Sequence, residues 1–137
     1  MVKGGCKTFP VPLYQADAVL SQDDPVSGTR YVVLDTTKNV RIISVSVKCT
    51  WTVQPTPLQI WITVDGHEIS CALIDPVSGT SYEVVNNPVV VGGGLTAITY
   101  TADRQAPIFE GRSIKVEAEI TGGTVQNLTA RVKYAKW

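Results

Sequence analysis

The sequence has little of what catalysis draws on. It holds one histidine, His67, in 137 residues. One imidazole cannot assemble a standard zinc site, and no Cys-x-x-Cys spacing supplements it. The G-x-S-x-G, H-E-x-x-H and phosphate-loop patterns do not occur. Gly92-Gly93-Gly94 precedes no helical pattern, so it lacks the amide-lined helix terminus that phosphate binding uses. Asp23, Asp24, Asp75 and Asp103 fall in expected loops, without the fixed separation and raised pKa of a glycosidase carboxylate pair. His67 follows a hairpin dipeptide and reads as a solvated turn residue. The expectation is a protein without catalytic activity, cofactor or metal.

Net charge is also lacking. Twelve basic and twelve acidic residues cancel. That removes the usual electrostatic case for nucleic acid or an anionic membrane surface, and it favours self-association. No apolar run is long enough to span a bilayer. The opening MVKGGCKTFPVPLYQ lacks the continuous apolar core of a signal peptide. Three cysteines, Cys6, Cys49 and Cys71, are an odd number and read as free thiols. Cys49 and Cys71 share the apolar parity of their strands and read as small buried hydrophobes.

What is present is alternation. In Lys38–Glu68, Ile43, Val45, Val47, Cys49, Trp51 and Val53 fall on one parity. Ser44, Ser46, Lys48, Thr50 and Thr52 fall on the other, the pattern of a long half-buried strand over Val40–Val53. Leu58, Ile60, Ile62 and Val64 repeat it after the break Gln54-Pro55-Thr56-Pro57. Asp65-Gly66 predicts a tight hairpin into His67–Ile74. Further strands are expected at Thr29–Asp35, Ser81–Val85, Leu95–Thr101, Arg112–Ile120 and Val125–Lys136. Val89–Val91 reads as a short edge piece and Phe109 as a core anchor. Thr36–Asn39 reads as a turn. Thr121–Thr124 reads as a hairpin turn whose flanking strands would pair Lys and Arg with Glu. A short helical turn fits Gln15–Leu20.

Asp24-Pro25-Val26-Ser27-Gly28-Thr29 recurs as Asp75-Pro76-Val77-Ser78-Gly79-Thr80, each followed by x-Tyr-x-Val. Pro pre-sets φ and Gly supplies positive φ, so the copies read as equivalent turns before equivalent strands. A cation site would need more oxygens than the one or two carboxylates each copy offers. The fold expected is all-β, a single-domain antiparallel β-sandwich of jelly-roll or immunoglobulin-like topology, with about eight strands. Residues 1–28 form an N-terminal arm or strap and residues 29–137 the sandwich.

Candidate contact residues are the large apolar side chains that this fold does not absorb. Phe9, Val11, Leu13 and Tyr14 belong either to a strap over the chain's own core or to an arm that docks on a neighbour. Trp61 lies on the polar parity of its strand, beside Gln59 and Thr63. It is a core residue, a subunit contact or a sugar-stacking platform. Trp137, at the end, packs on this subunit or on another.

The runs VRIISVSVKCTWTVQPTPLQIWITVDG (Val40–Gly66) and EGRSIKVEAEITGGTVQNLTARVKYAKW (Glu110–Trp137) resemble small all-β structural proteins of tailed-phage virions, such as capsid decoration proteins. The resemblance lies in long alternating strands, a short neutral chain and a loose N-terminal arm, and no family binding residue carries over. It implies a homo-oligomer, with a trimer favoured, bound to a major capsid protein in a virion assembled in the host cytoplasm. The rival reading is a carbohydrate-binding sandwich that uses Trp61, with Gln59 or His67 as polar partner.

Overall fold

The computed structural model describes residues 14–73, 76–83 and 110–136. The strands are β1 (Tyr14–Asp23), β2 (Tyr31–Val53), β3 (Leu58–Val64), β4 (His67–Leu73), β5 (Ser81–Glu83), β6 (Glu110–Ile120) and β7 (Thr124–Lys136). All pair antiparallel, in the order β1-β7-β2-β6-β3-β4, with β5 also on β2. The protein is all-β, and this sheet folds on itself as a sandwich around one core.

The fold turns on β2, a single strand of 23 residues. The expected turn at Thr36–Asn39 is instead a bulge inside it. Thr36 and Thr37 continue the ladder to Ile114 and Ser113, Lys38 takes φ of 79°, and the register shifts before Val40. Before the bulge β2 pairs with β6; Val40 and Arg41, just after it, pair with both β6 and β7, and beyond them β2 pairs with β7 on one side and, at Ser46–Lys48, with β5 on the other. A bulge bends a strand and increases its twist, and here it carries β2 from one layer to the other. A second register shift lies between Ile42 and Ser44. It reverses the inward parity, so that Val40 and Ile42 and then Val45, Val47 and Cys49 are all buried, while Ile43 is only half-buried.

The core joins these residues to Leu58, Ile60 and Ile62 of β3, Ile114, Val116, Ala118 and Ile120 of β6, and Val125, Leu128, Ala130 and Val132 of β7. Each fully buried Val, Leu or Ile stabilises by about 1.5–3 kcal/mol. Cys49 is buried as expected, and desolvation raises its thiol pKa from 9.0 to about 11. The side chain of Cys71 lies outside the described residues, as do Cys6, Val89–Val91, Leu95–Thr101 and Phe109. The fifth expected strand is described only as Ser81–Glu83. Asp65-Gly66 forms the hairpin expected, with φ of 49° and 84° and Val64 opposite His67. The Asp65 carboxylate also accepts hydrogen bonds from the Arg112 and Ser113 amides at 2.8 and 2.9 Å, tying the hairpin to β6.

Two further expectations are corrected. Gln15–Leu20 is no helical turn; it lies in β1, which runs in unbroken register from Tyr14 opposite Lys136 to Asp23 opposite Asn127. The sheet therefore takes in ten residues of the expected arm. Thr121–Thr124 does reverse the chain, with Gly122 and Gly123 at φ of 70° and 73°. It does not make a hairpin. β6 pairs with β2 and β3, and β7 with β1 and β2, so the turn crosses between layers. The basic and acidic residues expected to pair across a hairpin are thereby separated: Arg131 and Lys133 lie on one outer face, and Glu117 and Glu119 on the other.

The two hexapeptides make matching turns. Gly28 donates to the Ile120 carbonyl and Gly79 to the Cys49 carbonyl, each at 2.8 Å. Tyr31 Oη accepts from the Val26 amide at 2.9 Å and Tyr82 Oη from the Val77 amide at 3.1 Å. Ser27 Oγ accepts from Gly122 N–H and Ser78 Oγ from Trp51 N–H, at 2.8 and 2.9 Å. The ladders match as well. Gln22, Leu128 and Cys49 lie in one row, and Leu73, Leu58 and Ile120 in the corresponding row. Tyr82 opposes Val47 as Tyr31 opposes Ala118. The sandwich is thus two equivalent four-strand layers, β1-β7-β2-β5 and β4-β3-β6-β2, that share β2.

Tyr31→Phe and Tyr82→Phe should each lower stability by about 1 kcal/mol by leaving a turn amide without its acceptor, and the losses should add in the double variant. Urea midpoints check this; a free substitution at either site would break the equivalence. For Cys49, folded and unfolded thiols are both protonated below pH 9. As pH rises from 9 toward 11 the unfolded thiol ionises first, so stability should fall across that window. The Cys49 peptide should resist thiol labelling at pH 8 until urea unfolds the chain, as mass mapping would show.

Candidate interaction surface

The layers share a backbone plan, so their outer faces can be compared position by position. On the β4-β3-β6-β2 layer, Trp61 projects outward, with Glu117 opposite it on β6 and Ser70 opposite on β4. Arg30, just before β2, lays its guanidinium carbon 3.7 Å from the centre of a Trp61 ring. The same guanidinium is 2.7 Å from Glu68, 3.7 Å from Glu117 and 3.9 Å from Glu119. The indole N–H of Trp61 donates to Glu119 Oε1 at 2.8 Å. Glu117, beneath this cover, is only 9% exposed.

Cation–π contact and carboxylate pairing act together here. Arg30 is 37% exposed, so solvent screens its pairing with Glu68, and that contact is worth at most about 1 kcal/mol. The larger effect is on Glu117, whose desolvated carboxylate lies 3.7 Å from the Arg30 guanidinium. Trp61 is therefore outward, as its parity implied, and it is held in a polar cluster. The members of that cluster come from separate segments, which alternation within one strand cannot bring together. Among the described residues, no group of three or more His, Cys, Asp or Glu side chains is placed to hold a metal; the three glutamates converge on a guanidinium.

The β1-β7-β2-β5 layer carries different chemistry at matching positions. Lys48 stands where Glu119 stands, Arg131 where Trp61 stands, Ser46 where Glu117 stands and Ser81 where Arg30 stands. Lys48, Arg131, Ser46, Ser81, Thr129 and Val19 border a shallow depression of about 210 Å³. Lys48 and Arg131 are exposed. Of the other contact candidates, Tyr14 begins β1 opposite Lys136, on the layer away from Trp61. Its side chain lies outside the described residues, as do Phe9, Val11, Leu13 and Trp137.

Arg30→Ala should cost about 1–2 kcal/mol, mainly by leaving Glu117 buried without its cation, and Glu68→Gln less than about 1 kcal/mol. Chemical denaturation of both variants checks the ranking. Equal losses would place the energy in the exposed ion pair instead.

No protein-family profile matches the chain, and no curated protein matches it. Among solved structures it is similar to a chain in the structure of infectious bursal disease virus Gt strain, at 14% identity and a TM-score of 0.38. The similarity covers 95% of this chain and 34% of that one, so this chain spans about a third of that neighbour's length. The neighbour is viral but not from a tailed phage, and the tailed-phage resemblance of the sequence finds no match in these comparisons.

Proposed function

We propose that the chain is a non-catalytic virion structural protein of the capsid-decoration kind. It acts as a homo-oligomer, with a trimer favoured, and binds a major capsid protein or neighbouring subunits through its N-terminal arm and sheet edges. The observation that carries this reading is β1. It stands at one end of the sheet, ten residues long, with no register shift and no proline or lysine. The side facing away from β7 has no ladder partner among the described residues. Its outward Val19 is 57% exposed. A long regular edge of this kind, with Asp17 and Asp23 as its only charges and no proline or bulge, is a template for another chain. This strand lies within the arm expected over residues 1–28.

The sugar-binding alternative asks Trp61 to present its ring. Arg30 lies on that ring and Glu119 holds its N–H, so the geometry favours cohesion within the layer.

Because β1 takes in Tyr14–Asp23, the truncation that tests the arm must spare that strand. Removing residues 1–20 would take away most of β1 and leave Ala130–Lys136 paired only with β2. Removing residues 1–13 should leave the sandwich folded by circular dichroism and weaken co-sedimentation with assembled shells by at least about tenfold. Unchanged shell binding would overturn the role of the arm.

A further inference from the structure

The backbone direction of β1 can be read from its ladder. Just past the strand, the Asp24 N–H donates to the Gln126 carbonyl opposite it, at 2.9 Å. Hydrogen-bonded pairs alternate along an antiparallel ladder, and β1 keeps one register throughout. Ala16, Ala18, Leu20 and Gln22 therefore bond to β7, while Gln15, Asp17, Val19, Ser21 and Asp23 turn their N–H and C=O groups to the open side. The Asp23 carbonyl accepts there from the Gln22 side-chain amide at 3.0 Å. No other strand among the described residues pairs with that side.

We infer that the open side of β1 pairs antiparallel with β1 of a second copy, about a twofold axis at Val19. This rests on the reading of the chain as a self-assembling structural protein and names the partner of its edge. The occupant is a second copy because the strand matches itself. With Val19 opposite Val19, Asp17 faces Ser21 and Asp23 faces Gln15, so every open-side residue is paired and no carboxylate opposes another. An axis at Asp17 or Leu20 would oppose carboxylates directly, and one at Ala18 or nearer either end would leave open-side residues unpaired. Asp17 and Asp23 remain diagonal neighbours, but Asn127 donates to the Asp23 carboxylate at 2.8 Å and Lys133 lies opposite Asp17. On the inner face, Ala18 and Leu20, which already pack against the core, meet Leu20 and Ala18 of the second copy. On the outer face Val19, 57% exposed, gains an apolar partner. A twofold contact closes at two copies, so it joins subunits in pairs, and a trimer would be built on another surface.

The test uses the full chain. Across the axis the two Val19 Cα atoms would lie about 5.5 Å apart, within disulfide reach. Oxidised Val19→Cys should therefore link two copies through the residue-19 peptide, as mass mapping reads, and Asp17→Cys should not link to itself. Val19→Lys sets two ammonium groups together, and Val19→Pro removes an open-side N–H without breaking the ladder to β7. Each should weaken self-association by at least about tenfold in sedimentation velocity, with the circular dichroism of the wild type. If proline disturbs the strand, Val19→Lys, at an exposed position, should show the same loss. A wild-type oligomer whose mass Val19→Lys leaves unchanged, or that yields no residue-19 link, overturns this pairing while self-assembly stands. A wild-type chain that stays monomeric at about 100 μM overturns both.

Discussion

The bend in β2 at Lys38 is the constraint on which the rest of the structure depends. Val40 and Arg41 are paired on both sides at once, with Gly111 and Glu110 in one direction and with Lys136 and Ala135 in the other. One strand is thus an edge of one layer and an interior strand of the other. The second shift, around Ile43, sets the inward parity of Val45, Val47 and Cys49. A one-residue slip there would turn those side chains to solvent and bring Ser44, Ser46 and Lys48 to the core, so the register is strongly specified.

The two hexapeptide turns complete this arrangement. Each leaves the outer strand of one layer and crosses to an edge of the other. Each is fixed there by a glycine amide on a strand-end carbonyl, a serine hydroxyl and a tyrosine hydroxyl. Inside, matching positions keep matching character, Leu128 with Leu58 and Ala130 with Ile60, because close packing tolerates little else. Outside, matching positions diverge, Lys48 against Glu119 and Arg131 against Trp61. Packing does not constrain those sites, and they are where the layers acquire different surfaces.

Much of the interior was legible in the sequence. Strict alternation marked β3, β6 and most of β7, Asp65-Gly66 marked its hairpin, and the burial of Cys49 followed from parity. β1 was hidden because its inward residues, Ala16, Ala18 and Leu20, are helix formers. Its stability comes from pairing with β7 rather than from a hydrophobic stripe of its own. Thr36–Asn39 looked like a turn because a bulge uses the same polar residues and positive φ as a turn does. Gly122-Gly123 marked a reversal, but local chemistry does not specify whether the returning strand joins the same layer. For the same reason the parity of Trp61 was readable and its setting was not, since Arg30, Glu68, Glu117 and Glu119 meet only through the strand order.

The proposed role in cohesion rests on the β1 edge, which has no second ladder partner among the described residues of this neutral chain. The most direct measurement of that claim is the mass of the native, unmodified chain in low salt. The account predicts a discrete oligomer or a lattice at whole multiples of the chain mass. A monomer that also binds a glycan through Trp61 would contradict it.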